Sequence, residues 1–95
     1  MTYDNDLVKK ALVSLVIETT LFEIGKETYG KVVHDLYKKY HCYPPDCYDH
    51  PEYLNEILKD LYGNAYNVVV GKINKQLEEF SYHKSISNFV KILSQ

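Results

Sequence analysis

Apolar residues recur along this chain at steps of three and four, the spacing of one helix face. The pattern divides it into five helical segments. The first spans about Asp4 to Ile24, with Asp4 or Asp6 placed to cap free backbone N–H groups at its start. Gly25 breaks the pattern, and a second segment runs from Lys26 to His41 with Tyr29, Val32, Val33, Leu36, Tyr37 and Tyr40 on one stripe. Cys42 to His50 reads as the one clear loop, because adjacent Pro44 and Pro45 cannot continue a helix. A third helix starts at Pro51, behind Asp49 or His50, and carries Leu54, Ile57, Leu58, Leu61 and Tyr62 before Gly63 ends it. Asn64 opens a fourth, with Ala65, Val69, Ile73, Leu77 and Phe80 in register, and Ser81 to His83 form a hinge. Ser85 caps a last helix bearing Ile86, Phe89, Val90 and Leu93. The fold expected is all-α, a compact bundle of about five helices forming a single domain over residues 1–95.

The first segment stands apart from the other four. Leu7, Val8, Ala11, Leu12, Val13, Leu15, Val16, Ile17, Leu21, Phe22 and Ile24 spread around more than one face. Such a helix is either wrapped centrally by its neighbours or shared with another chain. The homodimer is the favoured alternative, with Leu12 and Val16 at the contact. Tyr29, Val32, Val33 and Leu36 echo Tyr66, Val69, Val70 and Ile73 at a constant offset. Two amphipathic helices produce this by shared period alone, so no repeat is inferred.

Composition narrows the function classes. The chain of 95 residues is 45% hydrophobic and 25% charged, in keeping with a globular fold. Its net charge is −2, and all 11 basic residues are lysine. Without the bidentate arginine fork, a near-neutral chain is poorly equipped to read DNA, and no nucleic-acid partner is expected. An AT-rich genome accounts for the lysine bias. The polar, acidic stretch Met1 to Asp6 does not resemble a signal peptide, and Lys9, Lys10, Ser14 and Glu18 interrupt the apolar run after it. Neither a membrane span nor an extracytoplasmic location is expected.

Two clusters around the proline loop invite chemistry. His41, Cys42, Cys47 and His50 lie close together, and zinc binds such side chains. A zinc site here would use Cys42, Cys47 and His50, with His83 or Asp46 as the fourth ligand. The Cys-x4-Cys-x2-His spacing is not a standard one, and no cofactor is the primary expectation. Two unrelated thiols, or a Cys42–Cys47 disulfide closing the loop, are the alternatives. Ten tyrosines are present, and Tyr37, Tyr40, Tyr43, Tyr48 and Tyr53 crowd the same loop. Flat rings beside Pro44 and Pro45 either line a groove for a partner or simply pack over the end of the bundle, and packing is preferred. Tyr40, Tyr43, Pro44, Pro45 and Tyr48 are the loop's candidate partner-binding residues. No catalytic residue is nominated. Gly-rich phosphate loops, Gly-x-Ser-x-Gly and His-Glu-x-x-His are absent. Glu18, Glu23 and Glu27 lack the Glu-x-x-His companion of a di-iron bundle. His34–Asp35 is a lone dyad whose members, as helix neighbours, are not expected to face each other.

One stretch has a family likeness. Phe22-Glu23-Ile24-Gly25, then Val32, Leu36 and Tyr40, then Pro51-x-x-Leu54-x-x-x-Leu58-x-x-Leu61-Tyr62-Gly63-x-Ala65, with Ile73 and Leu77, resembles the Nitrosopumilus output domain family, fifth class, of ammonia-oxidising archaea. The likeness covers about Leu21 to Leu77. It implies a helical output or interaction module of signalling and regulation, without catalytic residues. The Cys42/Cys47 pair is not part of it. The expected function is therefore a regulatory interaction module acting through protein contacts as a homodimer. The alternatives are a subunit docking into a larger complex through its first helix, or a metal- or redox-responsive switch at Cys42 and Cys47.

Overall fold

The computed structural model describes residues 6–80 and 84–95, with Asp6 and Ser85 described by backbone alone. Asp4, the Ser81–His83 hinge and the side chains of Asp6 and Ser85 therefore lie outside the described residues. All secondary structure among those residues is helical. In chain order it comprises α1 (Asp6–Ile24), α2 (Lys26–Tyr40), a 3-10 turn at Pro44–Tyr48, α3 (Pro51–Tyr62), a 3-10 turn at Gly63–Ala65, α4 (Tyr66–Leu77), a 3-10 turn at Glu78–Phe80 and α5 (Lys84–Leu93). The fold is an all-α compact domain.

Local chemistry explains most boundaries. Gly25 is extended, and it separates α1 from α2 while its N–H still donates to Leu21 O at 2.9 Å. At the far end of α2, His41 takes the left-handed conformation at φ 55°. Its N–H donates to Tyr37 O, and the Cys42 N–H to Leu36 O, satisfying two terminal carbonyls. His41 is thus the residue that turns the chain out of the helix, not the last helical residue that the periodicity suggested.

The Cys42–His50 loop also proves more regular than its sequence suggests. Pro44 and Pro45 occupy the first turn of a 3-10 segment, where a missing N–H costs nothing. Asp46 locks that turn by accepting the Tyr43 N–H at 2.9 Å. Pro51 then opens α3 as expected, and Gly63 closes it with φ 52°, ψ −119°, a conformation hostile to a Cβ. The fourth helix begins at Tyr66 rather than Asn64, because Gly63–Ala65 form a 3-10 turn first.

One core joins all the helices. α1 contributes Val13, Val16, Ile17 and Leu21; α2 contributes Val32 and Leu36; α3 contributes Leu54, Ile57 and Leu58. α4 adds Val69, Val70, Ile73 and Leu77, and α5 adds Ile86, Phe89 and Leu93. Truncating any of the larger of these to alanine costs about 2–5 kcal/mol. α3 is the hub, touching α2, α4, α5 and the proline turn, whereas α1 lies against the proline turn, α4 and α2.

The end of α5 is fastened by polar groups that its own sequence does not supply. Asn55 Nδ2, on α3, donates to Leu93 O at 2.9 Å and to the Tyr66 hydroxyl at 2.7 Å. The Tyr66 hydroxyl donates to the same Leu93 carbonyl. Burial pushes this phenol's pKa up, so it remains a donor. Lys59 Nζ reaches Gln95 O at 3.1 Å.

Four substitutions test these assignments through stability. Gly30→Ala and Gly71→Ala meet no atom within 4 Å on helices and should each stabilise the fold by about 0.5–1 kcal/mol. Gly63→Ala should destabilise it by about 1 kcal/mol or more despite equal space, because of its positive φ. Asn55→Ala should cost about 1–3 kcal/mol, since it leaves a carbonyl and a phenol at a helix end short of a partner. Urea midpoints at unchanged slope measure all four.

Candidate functional site

α1 has two apolar faces, and the bundle covers one of them. Turning 100° per residue, Val13, Val16, Ile17, Thr20 and Leu21 point inward, and all five are buried. Leu7, Ala11, Leu15, Glu18 and Phe22 follow at steps of four, four, three and four, and all are exposed. Leu7 is 72% exposed, Val8 67%, Leu15 55% and Phe22 46%.

This corrects the choice of docking residues. Val16 is a core residue at 8% exposure, and Leu12 is half-buried against the core. The exposed apolar surface of α1 is the opposite stripe. With apolar residues on both sides, periodicity alone gives no direction to the core. The clue that was present is the near-heptad run Val8, Ala11, Leu15, Glu18 and Phe22.

Polar groups frame the stripe. Leu7, Lys10, Ala11, Ser14, Leu15, Glu18 and Pro45 line a shallow groove along the N-terminal half of α1. Lys10 Nζ sits 3.4 Å from Asp49 and 3.8 Å from Asp46, which ties the proline turn to the flank of α1. Glu18 accepts the Tyr29 hydroxyl at 3.1 Å, and the Tyr29 ring tilts against Phe22 at 5.2 Å. Burial raises the pKa of that phenol, and the bond and charge of Glu18 raise it further.

The loop candidates do not converge. Pro45 is exposed and borders the α1 groove. Pro44 is buried, and Tyr48 is half-buried with an enclosed hydroxyl. Tyr40 belongs to a stack on the side of the bundle: its ring lies 4.0 Å from Tyr53, whose other neighbour is His50 at 4.6 Å. The Tyr40 hydroxyl donates to Glu56, which also pairs with Lys39 at 2.8 Å. Those two bonds, Lys39's first, hold the Glu56 carboxyl below its usual pKa. Their contribution is present above the ordinary carboxylate pKa of about 4.3 and is lost as pH falls through the lower folded value. Tyr43 is 55% exposed and pairs with Tyr37 at 5.5 Å. Thus packing explains Pro44, Tyr40 and Tyr48, while Pro45 and Tyr43 face outward in separate patches.

The zinc set fails on geometry. Among the described residues, no three His, Cys, Asp or Glu side chains are grouped to hold a metal ion. Cys47 is fully buried in the core, and its thiol pKa is pushed up to about 12, chiefly by burial. Cys42 is half-buried and its Sγ donates to Tyr40 O at 3.4 Å. His50 turns toward Glu52 at 3.3 Å. His83 lies outside the described residues. Both cysteines are free thiols, so the disulfide alternative is also set aside. His34 Nδ1 does approach Asp35 Oδ1, at 3.4 Å, contrary to the expectation for helix neighbours; the pair stands on the outside of α2. No described helix is long and apolar enough to cross a membrane.

No family model, curated protein or solved structure matches the chain.

The thiols offer a direct check of this arrangement. In native protein at pH 8, an aromatic disulfide reagent should titrate one thiol per chain, and Cys42→Ser should abolish that reaction. Cys47 should react only in denaturant, because both burial and a scarce thiolate protect it.

Proposed function

We propose that this protein is a helical interaction module that recognises a partner through the outer stripe of α1. The observation that carries this reading is the exposure of Leu7, Val8, Leu15 and Phe22, at 46–72%, on one side of one helix. Single exposed leucines need no explanation, but a continuous apolar stripe with a polar edge marks an interaction surface. Burying such side chains fully contributes about 1.5–3 kcal/mol each, which offsets part of the cost of association. Lys10, Ser14 and Thr19 flank the stripe and Glu18 lies within it, so apolar side chains are combined with a polar rim and one carboxylate. A partner of matching form is an amphipathic helix or a groove that accepts one.

The resemblance to the Nitrosopumilus output domain family supports the same reading, since it implies an interaction role in signalling. Docking as a subunit within a larger assembly would use the same stripe. Neither reading involves catalysis.

A photo-crosslinking residue introduced at position 15 or 22 should trap a discrete adduct in cells of the native source. The same residue at position 34, on the polar outside of α2, should not. Absence of any adduct from position 15, or equal trapping at 34, would sink the reading.

A further inference from the structure

We infer that the partner of the α1 stripe is a basic amphipathic helix, one whose apolar residues are flanked by arginine or lysine. This inference rests on the interaction reading above and gives that surface a partner of stated chemistry. It is carried by a carboxylate that stands inside the apolar stripe.

Glu18 lies three residues after Leu15 and four before Phe22, so the three side chains share one face of the helix. All three are exposed. A partner that covers both Leu15 and Phe22 therefore also takes the Glu18 carboxylate out of water. Among the described residues its one bonded partner is neutral, the Tyr29 hydroxyl at 3.1 Å, and no lysine pairs with it. A carboxylate buried with a single neutral donor is strongly penalised. A guanidinium or ammonium group from the partner turns the same carboxylate into an attractive contact. A purely apolar helix is thus rejected at the centre of its own contact.

The rest of the outer face has the same sign. At about 100° per residue, Lys9 and Lys10 point about 120° and 140° away from Leu15 on opposite flanks, whereas Glu18 and Glu23 point within about 80° of it. Lys10 is already engaged with Asp46 and Asp49, at 3.8 and 3.4 Å, so that flank carries more acid than base. Glu18, Thr19, Phe22 and Glu23 line a second shallow groove, which sets a carboxylate on each side of the Phe22 ring. Lys72 and Lys75 of α4 border Glu23 in another groove, so Glu18 is the decisive carboxylate. The Phe22 ring, 46% exposed, suits arginine in particular, whose planar group stacks on a ring while its N–H groups reach a carboxylate. This chain contains no arginine, and its Lys10 is occupied, so a second copy packed α1 to α1 does not supply what Glu18 lacks.

Two short synthetic helices with the same leucine stripe, one flanked by arginine and one by glutamate, are the probes. Titrated against the full chain by fluorescence anisotropy, the arginine peptide should bind at least about tenfold more tightly than the glutamate peptide. Glu18→Gln keeps an acceptor for Tyr29 and removes only the charge; it should weaken arginine-peptide binding about tenfold or more. Glu79→Gln, the same charge change at an exposed residue outside α1, should leave binding unchanged. Leu15→Ser, at a position already 55% exposed, should weaken it as well while helical circular dichroism stays the same. An arginine peptide no tighter than the glutamate peptide, a Glu18→Gln effect no larger than that of Glu79→Gln, or binding indifferent to Leu15→Ser would overturn the inference. In any of those cases an adduct from position 15 with a different protein leaves the interaction reading standing, and the absence of one removes both. An adduct with a second copy of this chain keeps the interaction reading and overturns the basic partner.

Discussion

The rest of this chain covers the first helix on one side only. The other helices and the proline turn cover the inner face of α1 and are then used up. α3 sits at the centre of the bundle, and its contacts with α2, α4 and α5 consume their apolar stripes. What remains of α1 faces outward. The asymmetry between a covered hub and an uncovered flank is what any functional reading of the molecule starts from.

The proline turn occupies a particular place in this economy of surface. Pro44 and Cys47 seal the core from below, while Pro45 points out beside α1. Two aspartates of the segment hold Lys10, so the turn and the first helix form one continuous outer surface. Of the two cysteines, Cys47 serves packing, and its chemistry is quenched by the same burial that stabilises the bundle.

Much of the fold was readable from residues whose backbone preferences are strong. Gly25, Pro51 and Gly63 mark real boundaries, and the stripes of α3, α4 and α5 point where their spacing says. His41 and the turn at Gly63–Ala65 were not readable, because a left-handed histidine and a single 3-10 turn leave little trace in periodicity. The site was only half legible. That α1 carries surplus apolar surface was plain; that the surplus is Leu7, Leu15 and Phe22 rather than Leu12 and Val16 depends on how α4 and α2 pack, which is tertiary information. Likewise, no local pattern announces that Asn55 and Tyr66 will meet the end of α5, because they are far from Leu93 in sequence.

The bond between Tyr29 and Glu18 has a mechanical meaning. Gly25 leaves the junction between α1 and α2 one extended residue long, and this side-chain link spans it from one helix to the next. The Phe22 ring tilts against the Tyr29 ring beside it, so the exposed stripe of α1 ends on an aromatic side chain carried by α2, and the surface the bundle leaves uncovered is shared by two helices.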